Sequence, residues 1–577
     1  MLRVTETATK LILTGGRDEL NALVNELRFR PPDYWRADAY QIYKMTNGRQ
    51  GWDGYTYPLR VRMAEGTLRG EILRGHRLAI EEAAHRHNVE LNLDGLLVRP
   101  FANMSPDDIP DDILVAEFRL DEHQRRCVAA WLAEANGVNK AAVSSGKTAM
   151  FMAAAAVIKR RYPDARFLYL TQSERLVRQC FKEANRFLPK WGLSQFGGGA
   201  KDESGCDMVV ATAAMLHRHF DRLHKAGWFK TFMAVLADES HHVASPSLER
   251  ILLATPAFFR LGASDTVAED DIVRRTKIQG LLGPILNVVP VGSLIDAGRV
   301  ARPIIYLVDV PSWTGKHAEL EHAAEDGTPA WALIDKTWRK GTFVGRATEH
   351  DPDSPDGVRR DRHNNPVLIP NQHRLVLDGD NGEERLVESR WCLLNRRYDG
   401  AIVRFKERNQ LIVDWAVHFS EQGRPTLVIC TRTLHILILH SLMAKRLGEG
   451  KVRYLFSIHS SAERDATFQW LRETPGAVLI SPLAKEGVSI NEISGGVIAD
   501  HVVDAEVANQ YIGRFIRKKL SEDNVAHVVM FIDRQHPTYR AASLKLLKRL
   551  EKIRGFSYYH PVQAPDTVSQ STLFSSS

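Results

Sequence analysis

The sequence predicts an α/β protein whose core is a parallel sheet covered by helices, and three stretches carry that reading. "AAVSSGKTAMFMAAAAVIKRRY" (141–162) passes from a short apolar strand through a tight polar loop into an Ala-rich helix with a cationic end, the charge that a helix C-terminus favours. "FLYLTQSERLVRQ" (167–179) and "DMVVATAAML" (207–216) repeat the plan of buried strand, polar turn and helix. "MAVLADESHH" (233–242) is an apolar strand that ends in Asp238-Glu239. Strands alternating with helices in this way predict parallel pairing, with ligands bound at the C-terminal ends of the strands.

Bulk properties bound the rest. At 577 residues the chain is long enough for three or four domains. It is 44% apolar and 25% charged, with no apolar run of membrane-spanning length, so no membrane segment is expected. Charge interrupts "MLRVTETATKLILTGG" before any apolar core forms, so no signal peptide is expected. The five cysteines form no CxxC pair, which argues against a disulfide framework or zinc site and for a reducing, cytoplasmic setting. The net charge of +7 permits a polyanionic partner without demanding one.

Residues 1–112 form a small α+β domain. "TKLILTGGRDELNALVNELRF" (9–29) reads strand, turn, helix, and residues 54–93 read strand, turn, helix, strand. Trp35, Tyr40, Tyr43, Trp52, Tyr55 and Tyr57 are interleaved with Arg and Lys. That mixture suits base stacking with phosphate contact, and equally an ordinary core with peripheral rings. In 113–300, "QRRCVAAWLAEAN" is a helix that precedes the loop at Ser144, Ser145, Gly146, Lys147 and Thr148. Taken alone, "SSGKT" is either a structural turn or a loop that points backbone N–H groups at a phosphate, with Lys147 reaching the outer phosphates and Thr148 a Mg²⁺ ion. Asp238-Glu239 downstream favours the second.

The ordered blocks resemble a superfamily-2 DExH helicase over about 115–555. Gln124 in "LDEHQRRCV" stands at the adenine-reading Gln, Ser144–Thr148 at the phosphate loop, "TQSERL" at the first strand-contacting motif, "DESHH" at the acid box and "LGASDT" (261–266) at Ser-Ala-Thr. "RPTLVICTR" (424–432) opens a second motor domain, "VLISPLAKEGVSI" (478–490) carries Glu486 and Gly487, and "QYIGRFIR" (510–517) carries Gln510, Arg514 and Arg517. The resemblance implies two tandem RecA-like domains, 113–300 and 301–560, and an ATP- and Mg²⁺-dependent DNA helicase or translocase. In it Asp238 and Thr148 hold the metal, Glu239 activates water, and Arg514 and Arg517 act as fingers from the second domain. Three positions depart from the pattern: Ser144 for glycine, Gly262-Ala263-Ser264 for Ser-Ala-Thr, and Ser489 for the acid that commonly follows Glu-Gly-Val.

The N-terminal domain and the 277–303 segment are similar to the UvsW-type and XPB-like branch, which implies single-stranded, forked or branched DNA as partner and a role in replication, recombination or repair. An RNA helicase, a motor subunit of a restriction or defence complex, and a non-hydrolysing DNA-binding protein are the other readings. Residues 311–400 read as an insertion with no recognisable chemistry. His217, His219, His241 and His242 lack partners at zinc spacing; His242 is expected to couple the nucleotide site to the neighbouring strand, and His217 and His219 to lie on a helix surface. The 540–554 helix reads as core-packed, with a DNA contact as the alternative. The Ser-rich 561–577 segment is expected to be a disordered tail, in which Gln570, Leu573 and Phe574 resemble a peptide that docks on the bacterial sliding clamp.

Overall fold

In the computed structural model, described residues are 1–115, 117–197, 200–201, 206–267, 271–312, 341–345, 373–378, 384–388, 397–456, 459–482, 493–503, 505–517, 524–550, 553, 555–562, 565 and 572–575. They divide into two compact units, Met1–Leu294 and Ile295–Ser577.

The first unit opens with a five-stranded sheet in the order β3-β4-β2-β1-β5: β1 (Leu2–Glu6), β2 (Lys10–Thr14), β3 (Arg60–Ala64), β4 (Thr67–Leu73) and β5 (Leu91–Gly95). Helices α1 (Arg17–Leu27) and α3 (Arg77–Arg86) supply Leu20, Leu23, Ile80 and Ala83 to its core, and α2 (Asp38–Met45) lies between them in sequence with no buried residue. Where a strand and a turn were expected to lead into α3, β3 and β4 pair as a hairpin. Glu65 and Gly66 both take positive φ, +50° and +78°, the left-handed pair that a two-residue hairpin turn needs.

This small domain is built into the rest of its unit. Glu6 sits between Arg74, whose Nε donates to Oε1 at 2.7 Å, and Arg99, whose Nη2 donates to the same oxygen at 3.0 Å. Arg74 Nη1 then donates to the Phe258 carbonyl (2.7 Å) and Arg99 Nε to that of Glu134 (3.1 Å), both in the following domain. Gly75 lies so close to the Ile272–Leu282 helix that a Cβ would fall 1.8 Å from the Gln279 carbonyl oxygen.

That following domain holds an eight-stranded sheet in the order β13-β6-β12-β11-β7-β10-β8-β9: β6 (Asn136–Ala141), β7 (Phe167–Thr171), β8 (Leu193–Gly197), β9 (Ala200–Lys201), β10 (Met208–Thr212), β11 (Ala234–Asp238), β12 (Phe259–Ser264) and β13 (Ile285–Val289). All its pairings are parallel except β8–β9. The strand before the loop is "NGVNKA", earlier than the apolar "AAV" suggests. Its buried Asn139 hid it from an apolar pattern, yet that amide donates to the Cys127 carbonyl at 3.0 Å and accepts from Asn287 at 2.9 Å, so its burial is compensated. Helix α4 (Glu122–Glu134) precedes β6, α5 (Lys147–Arg161) follows the loop and α6 (Glu174–Phe187) follows β7. α5 is buried at every position from Ala149 to Ile158, as expected of a helix apolar on all sides.

The second unit contains another eight-stranded sheet, β19-β20-β18-β21-β22-β14-β23-β24, parallel except at β23–β24: β14 (Arg302–Asp309), β18 (Thr426–Ile429), β19 (Val452–Tyr454), β20 (Val478–Ser481), β21 (Gly495–Ile498), β22 (Val525–Ile532), β23 (Ser557–Val562) and β24 (Thr572–Ser575). Within the 311–400 segment, β15 (Gly341–Gly345), β16 (His373–Asp378) and β17 (Glu384–Glu388) make a separate antiparallel sheet. The Pro537–Leu550 helix buries Tyr539, Ser543, Leu546 and Leu550 on one face, the core-packed reading of the terminal helix. The tail departs from expectation. β24 pairs with β23 in the register Tyr559↔Leu573 and Tyr558↔Phe574, so Leu573 and Phe574 lie in a strand; Gln570 lies outside the described residues.

Candidate active site

The parallel sheet of the first unit brings the loops after β6, β11 and β12 to one edge. Between β6 and α5 the backbone turns sharply, with Ser144 at φ +66° and Gly146 at φ +83°. Ser144 therefore carries its side chain in a conformation that glycine takes at less cost. At Gly146 a Cβ would lie 2.2 Å from the Gln124 Nε2, so a side chain there would displace the amide that braces the loop. α5 then begins at Lys147, so its first backbone N–H groups have no carbonyl partner within the helix and suit an anion.

Gln124 stands behind this loop. Its Nε2 donates to the Ser145 carbonyl at 3.0 Å, its Oε1 accepts the Asp121 N–H at 2.9 Å, and the residue is buried. The resemblance assigns Gln124 to adenine. Here its amide buttresses the loop, with one of its two N–H groups and one of its two oxygen lone pairs so engaged.

Facing the loop is the end of β11. Lys147 Nζ lies 4.0 Å from Glu239 Oε1. Asp238 Oδ1 accepts the Glu239 N–H at 2.9 Å and Oδ2 accepts the Tyr169 hydroxyl at 3.2 Å. Burial, then the adjacent Glu239 charge, push the Asp238 carboxyl above its usual range, while Lys147 pulls it back. Glu239 adopts left-handed backbone, φ +49° and ψ +52°. Strain of this kind in a non-glycine residue persists where the surroundings over-determine it, commonly at working sites.

The histidine that reaches the neighbouring strand is His241 and not His242. His241 Nδ1 hydrogen-bonds Ser264 Oγ at 2.7 Å and lies 3.5 Å from Glu239 Oε2, whereas the adjoining His242 is exposed. The choice follows from the short helical turn at Ser240–His242, which only geometry can phase. Burial holds the His241 imidazole below its usual pKa. His217 is exposed and His219 partly so, on the helical segment expected of them. Among the described residues, Glu239, His241 and Asp265 bring possible ligand atoms within 4.8 Å of one another; Asp265 was missed in the sequence because it follows the "GAS" block.

The donor set fits a phosphate group with a hard divalent cation. It offers a helix N-terminus, a lysine, a hydroxyl at Thr148 and a carboxylate at Asp238, and hard cations prefer oxygen ligands. In the second unit Gln510 lies on the Ala505–Gly513 helix, Arg514 and Arg517 follow it half-buried, and Arg517 bridges Val300 in antiparallel fashion. Glu486, Gly487 and Ser489 lie outside the described residues.

Comparison with known proteins agrees with the motif order. Residues 117–269 match the family described as the type III restriction enzyme, res subunit. A putative helicase of Sulfolobus islandicus filamentous virus is 25% identical over 229 residues, 38% of this chain and 40% of that protein. A putative DNA 3'-5' helicase Rad25 of Haloarcula marismortui is 28% identical over 212 residues, 36% of this chain and 32% of that one. The chain thus spans 40% or less of the length of these relatives. The crystal structure of UvsW from phage T4 aligns over 98% of this chain and 99% of its own, at 13% identity and a TM-score of 0.40. Among the described residues, no helix is long and apolar enough to cross a membrane. The family match over 117–269 and the two partial relatives make this chain similar to helicases, in keeping with the order of its motifs.

Proposed function

We propose that the protein is an ATP-dependent motor that translocates on or unwinds DNA, in replication, recombination or repair. One observation carries the reading: Lys147 of the loop faces Glu239 across 4.0 Å, beside Asp238, at the C-terminal edge of a parallel sheet. Mg²⁺, when bound with ATP, neutralises charge on the β- and γ-phosphates. Asp238 and the Thr148 hydroxyl would hold it. Lys147 and the first N–H groups of α5 would bind the phosphates. Glu239 would orient the attacking water and take its proton as the γ-phosphorus–bridging-oxygen bond breaks, leaving ADP and inorganic phosphate. Arg514 and Arg517 are assigned, on the resemblance, to charge developing at the γ-phosphate. The net charge of +7 and the DNA helicase named among the relatives favour DNA as the track.

The test is ATP hydrolysis by wild type and Glu239→Gln, each with single-stranded, duplex and forked DNA and with RNA. DNA-stimulated turnover that Glu239→Gln abolishes while still binding ATP supports the proposal. Wild-type turnover by Glu239→Gln overturns the acid's assignment, and stimulation by RNA alone overturns the track. The family description of residues 117–269 favours a second reading, the motor subunit of a restriction complex. That reading expects stimulation by plain duplex with no preference for forks.

A further inference from the structure

We infer that Tyr169 is a positioning residue for Asp238 and through it for the divalent cation, an inference that rests on the motor reading above. Each oxygen of the Asp238 carboxylate is held by one donor, and the donors come from different elements. Oδ1 takes the backbone N–H of Glu239 (2.9 Å), which belongs to the same turn and moves with it. Oδ2 takes the Tyr169 hydroxyl (3.2 Å) from β7, the strand paired beside β11. That second bond fixes the carboxylate's rotation, so it decides which lone pairs face the phosphate loop.

The hydroxyl can act as a fixed point because the ring cannot move. Tyr169 is fully buried, as are Phe151 and Trp131. Its ring meets Phe151 edge-on, with centroids 5.4 Å apart at 76°, and Phe151 stacks on Trp131 at 4.8 Å and 12°. Trp131 Nε1 closes the column by donating to the Gly137 carbonyl at 3.1 Å. Phe151 lies on α5, one helical turn beyond Lys147. The same column therefore sets the phosphate-binding end of α5 against the strands that carry Asp238. Phenylalanine would pack this space equally well. A buried phenol is costly unless bonded; this hydroxyl also meets the Cys180 thiol, and its donation to the acid points to orientation of that acid.

The experiment uses full-length wild type and Tyr169→Phe, with fluorescent ATP analogue binding titrated against Mg²⁺ and repeated without metal. Half-saturating Mg²⁺ is expected to rise on the order of tenfold in Tyr169→Phe, as for other groups that orient metal ligands, with metal-free nucleotide binding within about twofold of wild type. Excess Mg²⁺ should restore hydrolysis. An unchanged Mg²⁺ requirement overturns the inference. So does loss of cooperative melting, which would make the hydroxyl a folding group, and so does an equal loss of metal-free binding. Asp238→Asn run in parallel separates the two levels. If it binds and hydrolyses Mg²⁺-nucleotide like wild type, the motor reading falls; if it fails while Tyr169→Phe is silent, only the positioning role falls.

Discussion

Glu6→Leu tests whether the small N-terminal domain is held to its neighbour by charge. Glu6 is the shared carboxylate for Arg74 and Arg99, and all three side chains are nearly inaccessible, at 0%, 1% and 9% exposure. Burial alone would raise the Glu6 pKa, but the Arg99 hydrogen bond and the charges of Arg74 and Arg99 outweigh it, leaving the carboxyl below its usual range. Removing one partner of a buried pair strands the other charge, typically at about 3–5 kcal/mol. The carbonyls of Phe258, Leu97 and Glu134 stay bonded to the two guanidiniums, which places the expected cost near the lower end, about 3 kcal/mol. An unfolding entropy of about 2.1 cal/mol/K per residue, applied to the Met1–Leu294 unit, gives about 0.6 kcal/mol/K. The first calorimetric transition should therefore fall by about 5 °C at pH 7. Because the folded pKa lies below the unfolded one, this stabilisation is complete above the unfolded value of 4.5 and is lost as the pH falls through the folded value. Wild type should show that acid limb and Glu6→Leu should not. The triple variant Glu6→Leu, Arg74→Met, Arg99→Met should regain most of the loss, since apolar replacement of a whole buried ion cluster is commonly neutral. A Glu6→Leu transition within about 1 °C of wild type would refute the reasoning.

Three further outcomes are expected. Ser144→Gly relieves a φ of +66°, so it should melt no lower than wild type by more than about 0.5 kcal/mol equivalent and keep ATP turnover within about threefold; a tenfold loss of turnover would show that the hydroxyl itself touches nucleotide. Ser264→Ala removes the 2.7 Å bond to His241 and should lower turnover about fivefold, the equivalent of about 1 kcal/mol, with ATP affinity held; single-turnover kinetics at saturating ATP would detect the change. In the second unit, Arg408 donates to Asp533 Oδ1 at 2.7 Å with both side chains fully buried. Burial opposes the Asp533 charge, but Arg408 and His501 overcome it and hold the carboxyl at about 2. Its contribution is thus present above the unfolded value of 3.8 and lost as the pH falls toward about 2. Arg408→Met should cost about 3–5 kcal/mol at pH 7 and flatten that limb, as read by denaturant unfolding across pH.

What the sequence made legible was what repeats locally. Buried strands such as Phe167–Thr171 and Ala234–Asp238, and the uniformly apolar α5, announce themselves by composition, and the acid pair announces the sheet edge. Contacts across long separations were not legible. Glu6 meets Arg74 and Arg99 from 68 and 93 residues away, and the fully buried Arg260 caps the carbonyls of Leu281, Leu252 and Thr255. The aromatic run of the N-terminal domain shows the same limit. Arg28 lies over Tyr55, Arg30 over both Tyr34 and Tyr55, Tyr34 meets Tyr40, and Tyr40 stacks on Tyr43. Rings that looked available to bases thus already contact cations and each other, while Trp35 remains 50% exposed. Composition reports which groups are present, and only the fold decides which are already engaged.

Left-handed non-glycine backbone occurs across the first unit, at Asp33, Asn47, Asn88 and Ala135 among others, but at the sheet edge it coincides with buried, crowded carboxylates. In the N-terminal domain, groups that would be costly alone are compensated: Glu6 by two guanidiniums, the left-handed Glu65 by its place in a hairpin turn. At the edge formed by β6, β11 and β12, unfavourable features accumulate within a few residues of one another. Ser144 and Glu239 both hold left-handed backbone, and Asp238 and Asp265 have carboxyl pKa values raised chiefly by burial. A phosphate chain with a divalent cation would relieve this crowding, because a cation beside Asp238 would lower the cost of its charge and an anion before α5 would engage N–H groups that the helix cannot satisfy. Native sequences keep local conflicts chiefly where function requires them. On that reasoning nucleotide with Mg²⁺ should stabilise the first unit more than either alone, and Glu239→Gln, which removes one of the crowded charges, should melt no lower than wild type without ligand. Destabilisation by Glu239→Gln in the absence of nucleotide would mean that the crowding serves the fold, and the separation between scaffold and working edge would fail.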